Sequence, residues 1–149
     1  MKLSEHLRGV NRLFLDTAPV IYFVEENPHY LALVQPVFDR IDSGSLIAVT
    51  SPITLSECLV HPYRLQQTDA ALAFRELIVH GDSVAFIAID DEIADKAADL
   101  RARHNLTLAD ALQAATALRA ACDAFLTNDP ALKRVPELNV IVLDEVEGE

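Results

Sequence analysis

Short apolar runs alternate with longer segments in which apolar residues recur every three or four positions, and this alternation organises most of the chain. The run Arg12-Leu13-Phe14-Leu15-Asp16 stops at a carboxylate, as a buried strand does when its carboxyl end opens onto a site. Pro19 then stands near the first turn of a helix predicted through Val24, a position that tolerates proline. Asn27-Pro28 breaks the chain before a second helix marked by Leu31, Val34, Val37, Phe38 and Ile41, and Ser43-Gly44-Ser45 ends it. A second strand is expected over 46–50, followed by Ser51-Pro52 and a helix carrying Glu57, which His61-Pro62 should interrupt.

The second half repeats the scheme. An Ala/Leu-rich helix is expected over 68–80, with Gly81 placed to cap it. A third strand follows over 84–89. Asp90-Asp91-Glu92 then set acids at a helix start and Arg101, Arg103 and His104 set cations at its end, the order that the helix dipole favours. Residues 107–121 read as another Ala/Leu helix, 123–127 as strand four, 129–133 as a single helical turn and 139–143 as strand five. Apolar strands separated by helices imply an α/β fold, a three-layer α/β/α sandwich around a mainly parallel sheet of about five strands. We expect one domain over 1–149, with residues 1–11 as an N-terminal extension and 145–149 as an acidic tail.

Composition narrows the class. A hydrophobic content of 51% in 149 residues supports one core and excludes disorder. No apolar run approaches the roughly 18 residues of a membrane span, and the start of the chain lacks the apolar stretch of a signal peptide, so a cytoplasmic protein is expected. Cys58 and Cys122 have neither CxxC spacing nor a nearby His pair and read as buried free thiols. The net charge of −11 disfavours nonspecific binding to duplex nucleic acid. Arg64, Arg101, Arg103, Lys133 and Arg134 are the candidates for a local basic group that would offset it.

Against this background four acids stand out: Asp16, Glu57, Asp110 and Asp129, each set among apolar or small residues. Two unit charges about 4 Å apart repel by roughly 4 kcal/mol at an effective dielectric near 20, so a shared site needs compensation, which a divalent cation supplies. Local chemistry offers competing roles. Thr54-Leu55-Ser56-Glu57 and Thr107-Leu108-Ala109-Asp110 both match a helix capping box, and Asp129 is placed to start a short helix. Asp16, at a strand end, has no such local partner. Thr127 and Asn128 are placed to orient a carboxylate or hold a metal-bound water. GxxxxGK[ST], GxGxxG and GxSxG are all absent, so phosphate-binding loops and a serine-hydrolase elbow lack support. His6, His29, His61, His80 and His104 are scattered near loops and helix ends, as surface or capping residues are.

In order and context, Phe14-Leu15-Asp16-Thr17, Thr50-Ser51-Pro52-Ile53-Thr54-Leu55-Ser56-Glu57, Leu108-Ala109-Asp110-Ala111-Leu112-Gln113-Ala114-Ala115-Thr116-Ala117 and Phe125-Leu126-Thr127-Asn128-Asp129 resemble the PIN-domain ribonucleases. The likeness is greatest to the toxins of VapBC-type, type II toxin–antitoxin systems. The resemblance implies that Asp16, Glu57, Asp110 and Asp129 form an acidic site for Mg2+ or Mn2+, assisted by Thr127. It further implies RNA phosphodiester hydrolysis, a homodimer, and a cognate antitoxin that inhibits it. Two other readings stay open at this point: a non-catalytic acidic interaction module that binds a basic peptide, and a metal-dependent phosphohydrolase or nuclease acting on a substrate other than RNA.

Overall fold

Strand β1 (Arg12–Leu15) is so apolar because it lies at the centre of the sheet with both faces covered. The computed structural model, which describes residues 1–148, orders five strands as β3-β2-β1-β4-β5, with β2 at Ile47–Thr50, β3 at Val84–Phe86, β4 at Ala124–Thr127 and β5 at Val140–Val142. Every pairing is parallel, Phe14 standing between Val49 and Phe125 in register. The mainly parallel sheet expected from the sequence is therefore all parallel. Side chains alternate between the faces, as the two-residue period of a strand requires. Leu13, Leu15, Ala48, Ala124 and Leu126 enter one core, and Phe14, Val49 and Phe125 enter the other.

The first core is covered by α2 (Thr17–Val24), α3 (Leu31–Asp42), α4 (Pro52–Arg64) and α5 (Thr68–His80), which contribute Val20, Val34, Phe38, Cys58, Phe74 and Ile78. The second is covered by α6 (Asp91–His104) and α7 (Leu108–Arg119). Ala111, Ala114, Ala115 and Ala117 of α7 are buried there, so the small residues form the face turned to the sheet, where Phe14 stacks on Phe125 at 4.8 Å between ring centroids. Segments 1–10 are tied into the first core as well. A short helix, α1 (Leu3–His6), buries Leu3, and Leu7 and Val10 follow it inward. Main-chain pairing joins this segment to the other end of the chain, Glu147 N–H donating to Met1 O at 3.1 Å. In the stretch expected as an acidic tail, Glu145 pairs with Lys133, and Asp144, just before that stretch, accepts from Tyr30 Oη at 2.6 Å. Glu149 lies outside the described residues.

Several element ends differ from expectation for identifiable reasons. Helix α4 is not interrupted at His61-Pro62 but runs to Arg64, since Pro62 falls in its last turn, where the lost hydrogen bond is confined to the end and the ring is buried. Strand β3 stops at Phe86 rather than Ile89, because it is an edge strand whose one partner, β2, ends at Thr50. Gly81 does cap α5, but in an extended conformation (φ −60°, ψ 143°) rather than a left-handed one. The glycine is required there by space: a Cβ would stand 2.6 Å from Leu77 O and 2.9 Å from a Val84 methyl.

The order β3-β2-β1-β4-β5 means that the chain builds outward from β1 on one side, then crosses to build outward on the other. Connections therefore diverge between β1 and β4, leaving a crevice beyond their carboxyl ends, where open α/β sheets bind ligands. Among the described residues no helix is long and apolar enough to cross a membrane.

Two substitutions test these packing statements by denaturant unfolding. We expect Leu3→Ala to cost about 2–4 kcal/mol, because its side chain is 2% exposed within the first core. Gly81→Ala should cost roughly 1–3 kcal/mol through the Leu77 carbonyl clash. A Leu3→Ala protein as stable as the parent would show that the N-terminal segment is not part of the core.

Candidate active site

The crevice at the β1/β4 divergence is lined by Asp16, Thr17, Ala18, Ile21, Tyr22, Glu57, Asp110, Thr127, Asn128 and Asp129, around a cavity of about 370 Å³. All four acids singled out in the sequence face it, together with Thr127 and Asn128, from four different segments of chain. Asp16 directly follows β1 and starts α2. Glu57 projects from α4, Asp110 from the first turn of α7, and Asp129 follows β4 by one residue beyond Asn128.

Their environments are unequal. Of the four, Asp16 is buried, at 8% exposure, Asp110 and Asp129 are half-buried, and Glu57 is exposed, so the cost of burying charge is greatest at Asp16. Its two oxygens are met separately. Thr127 Oγ1 donates to Oδ2 at 2.7 Å, and Gln113 Nε2 donates to Oδ1 at 3.3 Å. Thr127 also accepts the Asp129 N–H at 3.0 Å, so one hydroxyl sets the spacing of two of the acids.

The capping readings separate cleanly. Glu57 is not part of a capping box, because Ser51, not Thr54, caps α4 by accepting from the N–H groups of Ile53 and Thr54. Glu57 instead accepts from Thr17 Oγ1 at 2.6 Å, across from the start of α2. Thr107 does cap α7, accepting from Asp110 N–H at 3.1 Å, while the Asp110 carboxyl meets Asp129. Asp129 caps the short 3-10 turn Pro130–Arg134, accepting from Ala131 N–H at 2.9 Å, and the proline that follows it occupies the first position of that turn.

Of the polar residues around these acids, Gln113 was not singled out by the sequence, and Asn128, expected to orient a carboxylate, instead bonds two tyrosines. Gln113, 1% exposed, accepts from Ser51 Oγ and donates to Thr54 Oγ1 at 2.7 Å besides Asp16. Its signal was a single amide in the middle of the Ala-rich face of α7. Asn128 holds a second group, donating to Tyr22 Oη at 3.1 Å and Tyr30 Oη at 3.2 Å and accepting from Asp144 N–H at 2.9 Å, with the two tyrosine rings stacked at 4.0 Å. The thiol expectations hold in part: both cysteines are free, Cys58 buried and Cys122 half-buried, and burial pushes the Cys122 thiol up to about 12.

Electrostatically the crevice is one-sided. No Lys or Arg lines it. Of the cations named from the sequence, Arg101 and Arg134 donate to main-chain carbonyls of Leu106 and Asn105, Arg103 pairs with Asp99 and Glu137, and Lys133 pairs with Glu145. Burial raises the Asp16 carboxyl above the usual range, opposed by the hydrogen bonds of Thr127, the Thr17 main chain and Gln113. Asp110 is pushed up to about 7 by burial first, then by its hydrogen bond with Asp129 and by the charges of Asp129 and Asp16. Among the described residues, no three His, Cys, Asp or Glu side chains enclose a metal position as they are placed. Hydrogen bonds to Thr17, Ala131, Thr127 and Gln113 account for where Glu57, Asp129 and Asp16 now point. The donor set itself, carboxylate oxygens without thiol or imidazole in the crevice, fits a hard cation, and a carboxyl pushed up to about 7 by burial and by neighbouring acids is one whose charged form a cation would favour.

Asp110 gives a pH test. Its folded-state value of about 7 lies above the ordinary 3.8, so the folded state keeps a proton that the unfolded chain has lost. Stability from this group is full below the lower value and falls as pH rises through the upper one. We expect the thermal midpoint of metal-free protein to decline over that interval, and Asp110→Asn to remove this residue's share of the decline. Equal slopes for parent and variant would overturn the assignment.

Comparison with known proteins follows the same lines. The PIN domain family model matches residues 13–138, from β1 to just short of β5. No curated protein matches the chain. Among solved structures, VapBC2 from Rickettsia felis, bound to a promoter DNA fragment, is similar at a TM-score of 0.69 and 15% identity, over 88% of this chain and 98% of that one. FitAcB from Neisseria gonorrhoeae is similar at 0.68 and 18% identity, over 90% and 99% of the two chains. VapC20 from Mycobacterium tuberculosis, described as a Sarcin-Ricin loop cleaving toxin, is similar at 0.63 and 16% identity, over 76% and 86%. At these identities the likeness is one of fold, and the match of the family model to most of the chain decides the family: this protein belongs to the PIN-domain family.

Proposed function

We propose that the protein is a Mg2+- or Mn2+-dependent endoribonuclease, acting in the cytoplasm as the toxin of a toxin–antitoxin pair. The observation that carries this reading is the convergence of four carboxylates on one crevice that no Lys or Arg lines, at the sheet edge where α/β folds bind ligands. The family membership and the fold likeness to toxin–antitoxin proteins support it.

In this reading Asp16, Asp110 and Asp129 hold the cation, and Glu57 contributes from the exposed side. A bound Mg2+ or Mn2+ supplies the positive charge that neutralises the phosphodiester and eases deprotonation of the attacking water. Glu57, exposed at the crevice, accepts that proton while the water oxygen adds to phosphorus and the bond to the leaving ribose oxygen breaks. Thr127 keeps one Asp16 oxygen and the Asp129 main chain in fixed relation throughout. A net charge of −11 makes the cation the element that lets an RNA backbone approach this crevice. A second copy of the chain and an antitoxin complete the proposed assembly.

The test is RNA cleavage with Mg2+ or Mn2+, with EDTA and Asp16→Asn as controls. We expect both controls to lower the rate by more than roughly a hundredfold, since removing even outer partners of metal ligands costs 10–100-fold. Cleavage that survives both would refute the proposal. Single-stranded DNA and a phosphomonoester as parallel substrates distinguish the nuclease from a broader phosphohydrolase. Basic-peptide binding that is indifferent to Asp16→Asn, with no turnover, would favour an interaction module.

A further inference from the structure

Gln113 has a more constrained environment than burial alone demands. Ser51 Oγ accepts two main-chain N–H groups, from Ile53 at 3.1 Å and Thr54 at 3.3 Å, so its one proton is free to go to Gln113 Oε1. Thr54 Oγ1 gives its proton to Leu15 O at 3.2 Å and therefore accepts from Gln113 Nε2. Both hydroxyls are thus committed, and together they set which way the Gln113 amide faces: oxygen toward Ser51, nitrogen toward Thr54 and Asp16. The reversed amide would put an oxygen against the Asp16 carboxylate and leave two acceptors without a donor.

We infer that Gln113 is a positioning residue: its amide, oriented by Ser51 and Thr54, aims the Asp16 carboxylate into the crevice and ties it to the helices that carry Glu57 and Asp110. With Gln113 on Oδ1 and Thr127 on Oδ2, the carboxylate is gripped at both oxygens from opposite elements, α7 and β4. Together with the Thr17 main chain these bonds use about three of its four lone-pair positions, which leaves about one for a ligand in the cavity that Asp16 lines. The spacing extends the tie further. Gln113 lies three residues after Asp110 on α7, and Thr54 lies three residues before Glu57 on α4, so each belongs to the same helix face as an acid. No buried side-chain polar atom among the described residues lacks a partner, so the grip is complete as built.

This inference rests on the metal-site reading proposed above, and its test reads metal binding rather than turnover. Free Mn2+ is counted by electron paramagnetic resonance during titration of the full chain, parent and variants alike. Gln113→Met keeps the length of the side chain and removes its hydrogen bonds. We expect its Mn2+ dissociation constant to rise roughly 10–100-fold, the range found when outer hydrogen-bond partners of metal ligands are removed. Cys58→Ala serves as the structural comparison, because Cys58 is buried on α4, does not line the crevice and donates to the Thr17 main-chain carbonyl rather than to a carboxylate. It should lower the thermal midpoint while leaving Mn2+ affinity within about twofold. Where Gln113→Met does not fold, Gln113→Asn, which keeps an amide one methylene too short, gives the same readout.

Unchanged Mn2+ affinity in the Gln113 variant overturns the positioning role while leaving the metal site standing. Equal weakening in Cys58→Ala overturns it too, by reducing the effect to general loosening of the fold. A parent protein that binds no Mn2+ overturns the metal-site reading and this inference together.

Discussion

A carboxylate at the end of the central strand has to be kept charged or capped by donors inside a mostly apolar sheet edge, and the surrounding structure is arranged around that requirement. Asp16 is 8% exposed, with Leu15 fully enclosed before it. Its charge is supported by one hydroxyl from the neighbouring strand, one amide from α7 and the main chain at the start of α2. Each supporter is then locked by something else: Thr127 by the Asp129 N–H, Gln113 by Ser51 and Thr54. Ser51 in turn caps the helix that bears Glu57. A buried polar network of this kind is costly when partly satisfied and specifying when complete. Here it is complete, and it holds in register the elements that carry the other acids.

Around this anchored acid the remaining carboxylates are held less tightly. Glu57 is exposed and bonded to a threonine hydroxyl, Asp110 faces Asp129, and Asp129 caps a short turn. Roles as cap and as prospective ligand therefore coexist in Asp129, since a carboxylate has two oxygens and the turn uses one. The contrast with Asp123, at the opposite end of the sheet, is instructive. That acid accepts the N–H groups of Asn11 and Arg12 at 2.9 Å each, which holds its carboxyl below the usual range. Asp123 at the amino end is met by main-chain donors alone, whereas Asp110 at the carboxyl end of the sheet faces another acid, Asp129. Repulsion between acids at one edge of an α/β sheet is what a cation would relieve under the function proposed above.

Much of the fold was legible in the sequence because it depends on periodicity and short-range chemistry. The unbroken apolar runs of β1, β2 and β4 follow from strands buried on both faces. The start and stop of α6 follow from Asp90, which accepts the Ile93 N–H at 2.9 Å, and from the cations at the far end. The errors were equally physical. Pro62 reads as a breaker, yet a proline in the last turn of a helix removes little. The N-terminal extension over 1–11 carried no role in the sequence, and the fold shows Leu3, Leu7 and Val10 of it entering the first core.

At the site, the sequence by itself determined which residue types were available: four acids beside apolar runs, a threonine and an asparagine at the end of β4, and no thiol or imidazole cluster to compete for a softer metal. It also determined that Asp16 follows a buried strand, since that depends only on neighbours along the chain. Only the tertiary structure decided that Glu57 is no helix cap, that Asp110 confronts Asp129, and that Gln113 supports Asp16 from a helix 97 residues away. Those facts come from which strand lies beside which and from how closely an Ala-rich helix approaches the sheet. Long-range adjacency of this kind leaves no periodic trace in a single chain; it exists once β4 crosses to the side of β1 opposite β2.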